Sequence, residues 1–207
     1  MPCKFSYRIL LTALVAVSVA CDTTRPNPGN GQTVYLESLG PDATSAGARG
    51  GPRDTVSYWD GGAGQGSPSI TIDLSEQKAK FYRGGTLVGI SQISSGREGY
   101  NTPTGNFKIM QKNREHYSNL YGSWVTYDGT VINDDVDVRA TPNPPAGARY
   151  EGAPMPNFMR ITSGGVGMHA GYLPGFAASH GCIRMPEWMS QHFFHNVNIG
   201  TPVKVVH

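Results

Sequence analysis

The chain carries little charge and almost no charge imbalance. Asp, Glu, Lys and Arg make up 15% of its 207 residues, with 17 Lys+Arg against 15 Asp+Glu. Lys4 and Arg8 account for the whole excess, so from residue 21 onward the signs balance at 15 each. With neither a basic face nor a like-charge run, the sequence offers no footprint for nucleic acid and no charged tail. Long hydrophobic runs are missing too. The longest, Ile9 to Ala20, would rise about 18 Å as helix, too short for a bilayer core of roughly 30 Å. Cysteine is scarce: of three residues, Cys3 and Cys21 lie at the start and Cys182 stands alone. That excludes a disulfide framework, and no Cys/His spacing suggests structural zinc. His192 and His195 lie three apart without a carboxylate or cysteine in register, so they read as helix surface or partial core, and no metal or other cofactor is expected.

What is abundant is glycine (27) and proline (15), the composition of a loop-rich β protein rather than a helical bundle. Lys4 and Arg8, the short apolar run and a small residue at its end read as a secretory signal over residues 1–20. Ser18-Val19-Ala20-Cys21 resembles a bacterial lipobox, with serine where leucine is usual. The expectation is a mature chain starting at a lipidated Cys21 and anchored to a membrane on the exported side; Asp22 hints at inner-membrane retention. Residues 21–68, rich in Gly, Pro, Ser, Thr and Asn, read as a flexible tether, because such composition buries too little apolar area to offset ordering entropy. Val56-Ser57-Tyr58-Trp59 is the one part of it with side chains able to dock.

Order is expected from Ser69. Ile70, Ile72 and Leu74 alternate with Thr71 and Asp73 as in a half-buried strand. Lys78–Arg83 and Thr86–Ser94 read as strands joined by Gly84-Gly85, followed by Asn106–Met110, Phe158–Thr162, Val166–His169 and a closing strand with Val203 and Val205. Pro186 suits the first turn of a helix running to about Asn196. Residues 111–157 show no regular pattern and read as a long lid with Tyr117, Tyr121, Trp124, Tyr127 and Tyr150 as core or substrate wall. Asp134, Asp135 and Asp137 read as solvated, or as a contact to a substrate amine. The fold class expected is mainly β, a sandwich or barrel over residues 69–207, with one main helix.

An exported chain whose remaining cysteine has no partner places a free thiol in an oxidising compartment, which favours a use for it. Cys182 sits in Ser179-His180-Gly181-Cys182-Ile183-Arg184-Met185, thirteen residues after His169. A free thiol near pKa 8.5 is about 3% thiolate at pH 7; an imidazolium or a helix N-terminus that lowered it to about 6 would make that roughly 90%. Gly181 lets backbone approach a carbonyl, and the amides of Gly181 and Cys182 could form an oxyanion hole. The bland alternative is a small buried hydrophobe beside a satisfied histidine. A papain-like protease would place its cysteine before its histidine.

The Ser179–Met185 run with His169 upstream resembles the signature of the L,D-transpeptidase catalytic domain, the YkuD fold. Ile70–Leu74, Ser94-Ser95-Gly96, Thr102-Pro103-Thr104-Gly105 and Met155–Met159 extend the resemblance over about residues 69–207. It departs from the family in a short His169–Cys182 spacing and in Arg184, where asparagine is common. The resemblance implies Cys182 as nucleophile and His169 as proton shuttle, oriented by the carbonyl of Ala170 or Gly171. Ser179 and His180 would shape the pocket, and Arg184 would hold a substrate carboxylate or tie down the cysteine loop. The implied partner is the peptidoglycan tetrapeptide stem, cleaved through a thioester with release of D-alanine and transfer to an amine of a second stem or of an acceptor protein. The chain is expected to act as a monomer in the cell envelope or periplasm. An L,D-carboxypeptidase using water, or a non-catalytic wall-binding lipoprotein, are the alternatives.

Overall fold

The computed structural model describes residues 54–207. The signal segment, Cys21 and tether residues 21–53 lie outside the described residues. Eleven strands and one helix are found in this part. β1 (Tyr58–Trp59), β2 (Pro68–Asp73), β3 (Lys78–Arg83), β4 (Thr86–Gln92), β5 (Gly105–Lys108) and β11 (Pro202–Val206) form a six-stranded sheet in the order β1-β4-β3-β2-β11-β5. β6 (Gln111–Thr126), β7 (Val131–Asp137), β8 (Ala148–Arg160), β9 (Gly167–Ala170) and β10 (Ile183–Met185) form a five-stranded sheet in the order β10-β9-β8-β6-β7. Both sheets are mixed: β11 runs parallel to β2, and β10 parallel to β9. The helix α1 (Glu187–Asn196) follows Pro186.

The expected alternation builds the first sheet. Ile70 and Ile72, Ala79 and Phe81, and Val203 and Val205 are buried every second residue, because side chains of a strand point alternately to its two faces. They meet Met159, Ile161, Met168, Ile183 and Met185 of the second sheet and its loops, and Met189 and Phe193 of α1, in one continuous core. That core holds the two strands flanking the cleft, β9 and β10, from behind.

Two expectations are corrected. The fold begins before Ser69: Tyr58 and Trp59 pair with Ile90 and Gly89 of β4. Trp59 stacks on His192 (centroids 5.0 Å, 9°) and meets Phe81 edge-on at 5.0 Å. One large indole against a ready apolar surface outweighs the flexible composition around it. Residues 111–157 are also not irregular. They form β6, β7 and most of β8, antiparallel strands of which β6 and β7 are polar on both faces. Much of β6 and β7 is open to water on both faces (Ile132, Asn133, Asp134 and Asp135 of β7 are all exposed), so hydrophobic alternation never develops. Only Trp124, Val136 and Ala148, with Val138 and Tyr150, make a small second core there. Between Tyr117↔Pro154 and Gly122↔Gly152 the ladder slips, leaving Ser118–Tyr121 opposite Ala153 alone. Ser118 Oγ accepts from the amides of Leu120 (3.2 Å) and Tyr121 (2.9 Å), which holds this bulge toward the cleft.

Candidate active site

Parallel pairing of β10 with β9 sets Arg184 opposite His169 and Ile183 opposite Met168, which brings Cys182 beside the start of β9. The cysteine turn is clamped by the segment after β4. Ser94 and Arg184 exchange backbone bonds of 3.0 and 2.9 Å, Ser179 N donates to Ser95 O at 2.9 Å, and Arg97 N donates to Ser179 O at 2.9 Å. Thr102 Oγ1 donates to Gly181 O at 2.8 Å and accepts from Gly96 N at 2.9 Å. Gly96 must be glycine, since a Cβ there would stand 1.9 Å from Tyr100 O. Gly181 turns the chain at φ +112°, a conformation side chains resist. Thus buried Ser179 is a backbone anchor of the loop as well as part of the cleft wall.

His169 is buried and its Nδ1–H donates to Ala170 O at 2.7 Å. A carbonyl only accepts, so the proton is on Nδ1 and the neutral ring keeps its lone pair on Nε2. Of the two carbonyls suggested for orienting it, Ala170's makes the bond; Gly171 instead lies beneath the stem of Arg184, whose Cγ would be 3.0 Å from a Cβ at that position. Burial, followed by the nearby Arg184 charge, lowers the His169 pKa to about 4 despite the Ala170 bond.

Cys182 is half-buried and its thiol donates to Gly165 O at 3.8 Å. Burial raises its pKa, and a bond from the Gly167 backbone with the charges of Arg184 and Arg160 only partly opposes this. The lowered thiol pKa considered as one possibility is not what the site favours: burial favours the protonated thiol beside a neutral His169. The helix dipole is remote from the thiol, because β10 and Pro186 separate Cys182 from Glu187, the first residue of α1. A base that ionises its thiol at the moment of attack is the chemistry this arrangement can perform.

Cys182, His169, Gly181, His180, Ser179 and Arg184 all line one solvent-open cleft of about 650 Å³, together with the Ser118–Tyr121 bulge and Arg160. A smaller cavity of about 260 Å³, lined by Arg97, Asp134, Asp135 and Glu151, shares Tyr121, His180 and Arg184 as its wall. His180 is stacked on Tyr121 (4.3 Å, 21°) and meets Tyr100 edge-on at 4.6 Å. Its Nε2 accepts from Arg97 at 2.8 Å, and burial and that guanidinium lower its pKa. Asp135 Oδ1 lies 3.3 Å from the same nitrogen. Asp137 pairs with Arg139 at 2.7 Å. Asp134 and Asp135 are exposed, as expected of a solvated loop, and only Asp137 is partly buried against Arg139; Tyr117 and Tyr127 are exposed as well. His195 accepts from Arg114 (3.0 Å) on the surface. Sequence reasoning missed Thr102 as a clamp, Arg97 and Tyr100 as wall, and Arg160. The Thr102-Pro103-Thr104-Gly105 motif was the signal for the first; the others are joined to the site only by long-range pairing.

A family model described as the L,D-transpeptidase catalytic domain matches residues 67–205. Among solved structures, an L,D-transpeptidase from Mycobacterium smegmatis superposes with a TM-score of 0.52 at 18% identity, covering 68% of this chain and 59% of its own. L,D-transpeptidase 1 from Mycobacterium tuberculosis gives 0.50 at 22%, covering 68% and 62%. An L,D-transpeptidase in complex with imipenem gives 0.51 at 21%, covering 68% and 59%. This chain therefore spans about 60% of those longer chains, and the likeness is one of fold. Comparison with curated proteins finds no match.

Proposed function

The chain belongs to the L,D-transpeptidase catalytic domain family, and from that premise we propose that it is an envelope transpeptidase acting on peptidoglycan tetrapeptide stems through a Cys182 thioester. The observation that carries this reading is the neutral His169, with Nδ1–H bound to Ala170 and its Nε2 lone pair left for the cleft it shares with Cys182. The thiol turns from Gly165 O toward Nε2, which takes its proton as sulfur attacks the carbonyl preceding the terminal D-alanine. The amides of Gly181 and Cys182 hold the oxyanion. As the C–N bond breaks, His169 returns the proton to the departing amine and D-alanine leaves. An amine of a second stem or of an acceptor protein then gives its proton to His169, attacks the thioester and restores the thiol. Arg184, between the two cavities, holds a carboxylate within the stem. His180 and Ser179 shape the pocket.

A lipid on Cys21 with residues 22–53 as tether would place this monomeric domain at the membrane face of the wall. Water as acceptor, making the protein an L,D-carboxypeptidase, is the second reading, and it is favoured by the openness of the cleft: β6–β8 wall it but do not close it. Incubating purified protein with disaccharide tetrapeptide separates the two. Crosslinked dimer supports transfer, and tripeptide alone supports hydrolysis. Cys182→Ala is expected to abolish both; turnover that survives it overturns the mechanism.

A further inference from the structure

The catalytic cleft is lined by Arg139, Arg160 and Arg184 and by no Asp or Glu, whereas the smaller cavity gathers Asp134, Asp135 and Glu151. The cleft's cations are not equivalent. Arg139 forks onto Asp137, with Nε–Oδ1 at 2.9 Å and a terminal nitrogen to Oδ2 at 2.7 Å, and also donates to the Tyr121 hydroxyl. Its charge is neutralised. Arg160 has no hydrogen bond or ion pair through its side chain among the described residues, and its Nε is buried without a partner. Its guanidinium carbon lies 5.8 Å from the Phe158 ring, and one terminal nitrogen would be 4.0 Å from a Cβ at Gly165, the residue whose carbonyl accepts the Cys182 thiol. A buried guanidinium N–H without an acceptor is costly, and a carboxylate with two parallel oxygens is the group that relieves it.

The register says where that carboxylate would stand. Arg160 pairs with Gly167 on one side of β9, and Ile183, which follows Cys182, pairs with Met168 on the other. Arg160 and Cys182 thus flank Gly167, about two strand spacings or ~10 Å apart at the backbone, and the arginine side chain spans much of that distance. In a peptide whose scissile bond is its last, the terminal carboxylate follows the attacked carbonyl by one residue, about 4 Å. In a peptide one residue longer it moves on by a further ~3.8 Å.

We propose that Arg160 reads the free terminal carboxylate of the residue released from the acyl donor, so that the cleft selects a donor ending one residue beyond the attacked carbonyl. This rests on the thioester reading of the same cleft. Binding of synthetic tetrapeptide and of its C-terminal amide is measured on Cys182→Ala, which cannot turn over, and on Cys182→Ala with Arg160→Met or Arg160→Lys. The acid is expected to bind roughly 10- to 100-fold tighter than the amide. Arg160→Met should erase that preference by weakening the acid alone, with an unchanged melting temperature, and Arg160→Lys should restore part of it. The proposal is overturned if the parent shows no preference, if the preference survives Arg160→Met, or if both ligands weaken equally. Should Arg160→Met fail to fold, Arg160→Lys decides: a reduced acid preference with unchanged amide binding supports the proposal, and an undiminished preference overturns it. Turnover by the wild-type chain is read separately. Absence of D-alanine release alongside an Arg160-dependent preference would sink the transpeptidase reading and leave the carboxylate site standing.

Discussion

The two sheets divide the labour of this protein. The six-stranded sheet alternates apolar and polar side chains, buries Ile70, Ile72, Phe81, Val203 and Val205, and none of its strands lines the cleft. The five-stranded sheet supplies His169 from β9, Arg184 from β10, Arg160 from β8 and Tyr121 from β6. It exposes much of β6 and β7 and has only a small core of its own at their far end. The difference teaches that strength and chemistry sit on opposite layers. A site needs polar groups aimed into a wet cleft, and those groups cannot also close a hydrophobic core. The first sheet and α1 therefore hold β9 and β10 from behind, while the segment after β4 reaches across to clamp the cysteine turn.

The comparison is tested most severely by exchanging damage between layers. His169→Gln should lower turnover roughly 10²- to 10⁴-fold, the range of a positioned general base, with little change in melting temperature. Phe81→Ala should cost about 3–5 kcal/mol of stability in denaturant unfolding while turnover per folded molecule stays near the parent's. If Phe81→Ala instead lowered turnover of folded protein as much as His169→Gln, the division would be wrong.

Thr102→Val probes the clamp where the layers meet. It keeps the shape, removes the Oγ1 bonds to Gly181 O and Gly96 N, and should cost about 1–3 kcal/mol with roughly tenfold slower acylation. A full loss of stability without any rate effect would move Thr102 from the site to the framework.

The smallest effect is on the resting thiol. Because burial raises the Cys182 pKa, alkylation by iodoacetamide at pH 7 should be slower than that of free cysteine and rise only above the ordinary thiol range near 8.5. kcat/KM should hold as pH falls toward 4, then drop about tenfold per unit as His169, with its pKa near 4, becomes protonated and cannot accept. Fast alkylation at pH 6 would show a preformed thiolate–imidazolium pair instead.

Much of the first sheet was legible, because a strand with one wet face alternates along its length: Ile70-Thr71-Ile72 and Ala79-Lys80-Phe81 are buried every second residue. The second sheet was not. β6 and β7 are polar on both faces, and β6 takes its main pairing from β8, far along the chain, so a pattern-based reading sees a loop. β1 was hidden for another reason. Two residues have no period, and the docking of Trp59 depends on Phe81 and His192 far along the chain.

At the site, the sequence by itself determined which reactive groups are present. One unpaired cysteine in a glycine-flanked run, with a histidine thirteen residues upstream, is local and covalent information that no folding alters. Tertiary structure alone decided how those groups are charged and who surrounds them. Desolvation and the Ala170 carbonyl set His169 neutral with its Nε2 lone pair available, burial keeps Cys182 a thiol, and pairing of β8, β9 and β10 brings Arg160 and Arg184 to either side of them. Protonation follows local dielectric and contacts between distant segments, and neither is written in the order of residues.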